Sequence, residues 1–157
     1  MLYITSSRKP CLTTRRLCKS LSLILPRSVY ENRGKKNIDD VASRAKSLGK
    51  QRVVFVYEQK GNPYKLSFLK LNKDWKWLTT EIILKSVKLS KITVQLPREL
   101  KVNASEKLKE LFYYEEPESD EFITLNEKED KVIFTHKDKV LLELKVGYYE
   151  SKNGDSI

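Results

Sequence analysis

The chain has 157 residues, 33% of them charged and 39% apolar, with a formal net charge of +10. That length suits one domain with a full hydrophobic core, the apolar residues recur in periodic blocks that disordered chains lack, and no apolar run approaches the ~18 residues of a membrane span. Residues 1–60 carry 14 Lys and Arg against 4 Asp and Glu, residues 61–157 carry 17 of each, and residues 106–157 carry 8 basic against 14 acidic side chains. One end is basic and the other acidic. A dense basic segment repels itself and is relieved by polyphosphate backbones or anionic membrane surfaces, the bland alternative being a solvated face.

Residues 2–6, "LYITS", are β-prone and run into Ser7-Arg8-Lys9-Pro10, a turn with helix-start chemistry. The helix predicted after it has Leu17, Cys18, Leu21, Ile24 and Leu25 at 3 to 4 residue spacing on one face, with Arg15, Arg16 and Lys19 off that face. Pro26 stops it. Cys11 and Cys18, seven apart on one helix, would lie ~10 Å apart along its axis and could not bridge each other, which favours a reducing, intracellular setting. The Arg- and Ser-rich start also imitates a mitochondrial transit peptide; we read it as part of the fold.

The loop "RSVYENRGKKN" supplies Arg27, Arg33, Lys35 and Lys36 around Gly34, and Asn37 is placed to cap a second helix. Its expected stripe is Ile38, Val41, Ala45 and Leu48, with Asp39 and Asp40 at the positive end of the dipole and Gly49 in a left-handed stop position. "RVVFVYE", residues 52–58, has no polar alternation and predicts a strand covered on both faces. "KGNP" at 60–63 is a turn, and "YKLSFLKLN" a second strand.

Residues 77–89 fit a strand better than a helix because Thr, Ile and Val dominate. "ASEKLKELFYY" predicts a helix capped by Ser105 or Asn103, with Leu108, Leu111 and Phe112 as its stripe. "EEPESDE" is an acidic loop, followed by three antiparallel strands, "EFITLN", "KVIFTH" and "KVLLELKVGYY". Each half thus places a helix before paired strands, and residues 151–157 form a frayed tail.

No catalytic set is visible. Phosphate-binding glycine motifs, a nucleophile elbow and metal-ligand spacings are all missing from the sequence, and the lone His136 has no placed partner. We expect no catalytic residue, no metal, no cofactor and no small-molecule substrate. The feature left over is the opening strand, basic turn and helix. A helix N-terminus offers unpaired N–H groups and partial positive charge, so Ser6, Ser7, Arg8 and Lys9 would build a phosphate cradle there, with no acid in the first turn to neutralise it. Among aromatics that could stack on bases, Tyr30 lies in the basic loop and Tyr57 and Tyr64 flank the "KGNP" turn.

In combination, "YITSSRKPCLTTRRLCKSLSLILP", "NRGKKNIDDV" and "RVVFVYEQKGNPYKLSFLKLN" resemble the Brix domain, in its compact archaeal form related to the Imp4-like branch of ribosome assembly factors. The resemblance covers residues 2–72 well and continues loosely through "WKWLTTEIILKSVKL". It implies an α/β fold of two halves, each similar to the anticodon-binding domain of class II aminoacyl-tRNA synthetases, with mixed sheets and packed helices. The expected organisation is one Brix domain over 1–150, basic over 1–74 and acidic towards the end of 75–150. The resemblance also implies a cytoplasmic, non-enzymatic factor that binds rRNA or pre-rRNA alongside other assembly factors or ribosomal proteins, and the absence of extensions around the domain fits a stand-alone archaeal protein. By position, the RNA-contact candidates are Arg8, Lys9, Arg15, Arg16, Lys19, Arg33, Lys35 and Lys36. A protein–protein adapter without direct RNA readout is the alternative, and a nucleotide-dependent enzyme comes last.

Overall fold

A computed structural model describes residues 1–151; residues 152–157, where all but the first residue of the expected tail falls, lie outside the described residues. Ser151 itself is tied down, its amide donating to the Thr79 carbonyl at 2.7 Å. The chain runs β1 (Leu2–Ser6), α1 (Leu12–Ile24), β2 (Val29–Tyr30), α2 (Ile38–Ser47), β3 (Arg52–Gln59), β4 (Asn62–Leu71), β5 (Trp75–Trp77), β6 (Thr80–Leu89), β7 (Leu100–Asn103), α3 (Glu106–Phe112), β8 (Ile123–Lys128), β9 (Lys131–His136) and β10 (Lys139–Glu150).

All strands join one mixed sheet in the order β2-β1-β3-β4-β6-β10-β9-β8-β7, with β5 paired to β4. β1 is parallel to β2 and to β3, and β7 is parallel to β8; the other pairs are antiparallel. Between the halves the sheet narrows. β4 and β6 share register only at Lys65 opposite Ile83 and Leu66 opposite Ile82, because β5 takes up the far end of β4.

β3 is covered on both faces, as its unbroken apolar run predicts. Val54 and Val56 face α1 through Leu17, Cys18, Leu21 and Ile24, in a core that continues past Phe68 to Leu108, Leu111 and Phe112 of α3. Val53 and Phe55 face α2 through Val41, Ala42 and Ala45, with Tyr3, Leu69, Trp75 and Trp77 around them. The halves are therefore not separate packing units, since α1 and α3 share one core on one side of one sheet.

Local chemistry explains the helix ends. Asn37 and Asp40 form a reciprocal capping box on α2, Gly49 takes φ +74° after it, and Ser105 accepts from Leu108 N–H to cap α3. Leu48 leaves the expected α2 stripe: it ends the helix at 36% exposure while Ala42 takes the buried position. Cys11 stands outside α1 as its N-cap residue. The strands β2, β5 and β7, of 2, 3 and 4 residues, escaped the sequence reading because none is long enough to display a period. No helix among the described residues is long and apolar enough to cross a membrane.

Candidate nucleic-acid interface

The basic segment does not gather into a cradle at the start of α1. The Cys11 N–H, at the helix N-terminus, donates to Glu58 Oε1 at 2.8 Å, so an acid from the end of β3 neutralises the helix start that has none in its own first turn. Neither serine hydroxyl is available there either. Ser6 Oγ donates to the Ser7 carbonyl, and Ser7 Oγ is buried with no hydrogen-bond partner among the described residues. Arg8 and Lys9 project from the exposed turn above, Lys9 with φ 52°.

A different place brings the cations together. An open groove of about 740 Å³ lies along the β2 edge of the sheet, lined by Arg15 and Lys19 of α1, by Tyr30, Glu31 and Asn32 at the end of β2, and by Lys36 and Arg44 from the α2 side. It exists because α1 and α2 pack on opposite faces of the sheet and β2 is too short to fill the edge between them. The groove's acid is spoken for. Glu31 accepts two parallel hydrogen bonds from Arg44, Nε at 2.9 Å and Nη2 at 2.8 Å, and one from the Tyr3 hydroxyl at 2.7 Å. These bonds hold its carboxyl well below the usual range, at about 2. At neutral pH the groove therefore presents Arg15, Lys19 and Lys36 against a carboxylate already satisfied internally.

The other candidates divide. Arg16 and Lys35 are exposed outside the groove, Lys35 beside Gly34 at φ +56°. Arg33 is buried, at 7% exposure. Its Nε donates to the Lys36 carbonyl at 2.7 Å and its Nη1 to the Ser6 carbonyl at 3.2 Å, and its guanidinium lies 5.4 Å from the Phe55 ring centre. Arg33 thus positions the loop that carries Lys36. Among the described residues, no ion pair involves Arg8, Lys9, Arg15, Arg16, Lys19, Lys35 or Lys36. Arg44, Glu31 and Asn32 are groove residues that sequence reasoning missed; the signal for Arg44 was an exposed position on α2, shared with most cations.

Of the aromatics, Tyr30 lines the groove with its hydroxyl on Asn32 Oδ1. Tyr57 and Tyr64 are taken by Lys65, whose Nζ stands 5.1 and 5.8 Å from their ring centres. The acidic loop after α3 lies near the start of β1, at the opposite end of that strand from Arg8. Its Glu115 stands 3.9 Å from Arg27, and the Glu118 and Ser119 amides donate to Glu99. Among the described residues, no group of three or more His, Cys, Asp or Glu could hold a metal ion.

No protein-family model matches the chain. It is similar to archaeal proteins named "Probable Brix domain-containing ribosomal biogenesis protein": 37% identical over 79 residues to that of Thermococcus kodakarensis, and 36% identical over 88 residues to that of Methanopyrus kandleri. These matches take in 50% and 56% of this chain but only 38% and 46% of the relatives' own lengths. Among solved structures, the fold is similar to a probable ribosomal biogenesis protein of Aeropyrum pernix (TM-score 0.77, 20% identity, 93% of this chain and 94% of that one). It is likewise similar to Mil, an archaeal Imp4-like protein (TM-score 0.71, 24% identity, 96% and 100%). The resemblance read from the sequence is borne out by relatives and fold together.

Proposed function

We propose that this chain, whose relatives and structural neighbours are archaeal Brix-domain and Imp4-like proteins, is a non-enzymatic, cytoplasmic ribosome biogenesis factor that binds rRNA or pre-rRNA and assists processing and subunit assembly. On this reading residues 1–150 act as one Brix domain whose halves, 1–74 and 75–150, are each anticodon-binding-like. The observation that carries RNA binding is the β2-edge groove, where Arg15, Lys19 and Lys36 converge beside Tyr30 and the nearby carboxylate is internally neutralised. Cations without an ion pair among the described residues, Lys36 with its Nζ donating to the Asn32 carbonyl at 3.0 Å, suit a sugar-phosphate backbone along a concave path, and an aromatic on its wall suits an unstacked base. Arg8, Lys9, Arg16 and Lys35 extend the positive field around the groove, and Arg33 shapes it from within. Other assembly factors or ribosomal proteins are the expected companions.

If about six phosphates are neutralised, log affinity falls with log[salt] at a slope near −4 for single-stranded RNA. The variant Arg15→Ala/Lys19→Ala/Lys36→Ala, titrated against a labelled rRNA fragment, should flatten that slope by about 2; an unchanged slope rejects the groove. One observation favours an adapter instead. Leu12 and Leu23 are 61% and 60% exposed on the outer face of α1, at helical spacing with Arg16 and Lys19, a mixed surface suited to a protein. A partner retained after nuclease treatment of a lysate, with no RNA binding by the purified chain, would decide for the adapter.

A further inference from the structure

The two halves treat the second face of the sheet differently. In the first half α1 covers one face and α2 the other; in the second half α3 lies on the α1 side, and among the described residues no helix covers the opposite face of β6, β10, β9 and β8. Side chains alternate across a strand, so Leu142, Leu144 and Val146 enter the core while Glu143, Lys145 and Gly147 stand on the uncovered face.

Strand register sets a row of cations across that face. Lys128 of β8 lies opposite Lys131 of β9, Lys131 lies opposite Lys145 of β10, and Lys145 lies opposite Ser86 of β6. A register shift beside Lys145 leaves Lys85 as the extra residue of β6, and its Cε lies over Gly147, 3.3 Å from where a Cβ would stand. One turn of the pleat away, Lys88 lies opposite Glu143. Neighbouring strands are ~4.8 Å apart, so four lysines span the sheet in one line.

Stability does not explain this line. Like charges directly opposite one another in a sheet are destabilising, and here Lys131 faces a lysine on each side. The acids nearby compensate weakly. Glu143 stands 3.6 Å from Lys88 and 3.9 Å from Lys131, and Asp130 3.8 Å from Lys145, while these lysines keep 75%, 46% and 49% exposure. Among the described residues no exposed large apolar side chain interrupts the row; Tyr149, 56% exposed, stands on the same face two residues beyond Gly147, and one aromatic at the margin does not make the desolvated apolar centre a protein interface needs.

We propose that this uncovered face is a second RNA contact surface, gripping the sugar-phosphate backbone through Lys85, Lys88, Lys128, Lys131 and Lys145 by charge alone. The inference rests on the reading of the chain as an RNA-binding protein and adds a site to it. It also places an RNA-binding function on the half whose net charge, summed along the sequence, gave no hint of one.

The test uses the whole chain and a fluorescein-labelled single-stranded RNA of mixed sequence, followed by anisotropy across potassium chloride concentrations. Lys88→Gln/Lys131→Gln/Lys145→Gln should reduce the salt slope by about 2, at ~0.7 per phosphate contact, and weaken binding at least about tenfold at low salt, with the far-ultraviolet dichroism unchanged. Combining it with the groove variant should flatten the slope further than either set alone. Binding within about twofold of the parent at an unchanged slope overturns this surface while leaving the groove standing if the groove variant still weakens binding. Absence of RNA binding by the parent chain overturns both.

Discussion

Arg52, the first residue of β3, reaches Glu110 of α3 with two hydrogen bonds, Nη2 to Oε1 at 2.9 Å and Nε to the backbone carbonyl at 3.1 Å. Its third bond goes to the Gln51 carbonyl, and its guanidinium lies 5.0 Å from the Tyr113 ring centre. The Arg52 side chain is 3% exposed and the Glu110 side chain 60%. This buried strut ties the first half of the sheet to the helix of the second. Because Glu110 is mostly solvated, the bond to its carboxylate contributes little, whereas the backbone carbonyls and the ring depend on Arg52. Arg52→Ala should therefore cost about 2–3 kcal/mol and Glu110→Gln about 1 kcal/mol or less. Urea denaturation measures both, and equal losses would contradict the asymmetry.

The strut also marks where the sequence stopped being readable. Helix α1, β4 and the three C-terminal strands were legible because each buries a face long enough to show a period, and β3 because its apolar run is unbroken. The groove was half legible. Arg15 and Lys19 fall off the apolar face of α1 by spacing alone, but pairing with Lys36 and Arg44 depends on which sheet face each helix takes. Arg33 looked no different from Lys35, two residues on, although one is buried against Phe55 and the other exposed. Glu58 reaches the Cys11 amide from 47 residues away, a separation at which no local rule operates. The lysine row is the clearest case, since cross-strand register is a tertiary property invisible to residue counting.

Cysteine chemistry should separate the two thiols. Cys18 is fully buried in the α1 core, and burial pushes its thiol up to about 12. Cys11 is half-exposed at the helix start, its Sγ donating to the Gly61 carbonyl at 2.8 Å. Thiolate is the reacting species. Iodoacetamide at mildly alkaline pH should modify Cys11 alone, with Cys18 at least about a hundredfold slower until denaturant is added. Mass spectrometry of peptides reads the ratio; equal labelling in the native state would place Cys18 outside the core.

The β3–β4 hairpin turns on Lys60 and Gly61, with φ of 52° and 77°, a two-residue loop with both central residues left-handed. Lysine pays a steric cost there that asparagine tolerates better. Lys60→Asn should stabilise the chain by a few tenths of a kcal/mol, and Gly61→Ala should destabilise it by about 1 kcal/mol. Nothing lies within 4 Å of a Cβ built at Gly61, so that cost is conformational. Thermal melts of the two variants should therefore shift in opposite directions.

Glu31 couples stability to the groove with opposite signs. Its carboxyl, held at about 2 by Arg44 and Tyr3 against an ordinary value of 4.5, has a folded-state value below the unfolded one. Its contribution is thus fully present above pH 4.5 and is lost as pH falls towards 2. With the side chain 26% exposed, that contribution is about 1–2 kcal/mol. Glu31→Gln should lower stability by this amount at pH 7 and flatten the acid limb of the stability curve between pH 4.5 and 2. The same change removes the groove's negative charge and releases Arg44 from its ion pair. RNA affinity at neutral pH should then rise, by roughly threefold to tenfold for a change of about 1 kcal/mol in local electrostatics. A less stable protein that binds RNA more tightly is the expected outcome, measured by chemical denaturation and anisotropy on one preparation. Weaker RNA binding by Glu31→Gln would mean that the carboxylate orders Arg44 for contact, and would reverse the assignment of Glu31 as the residue that silences it.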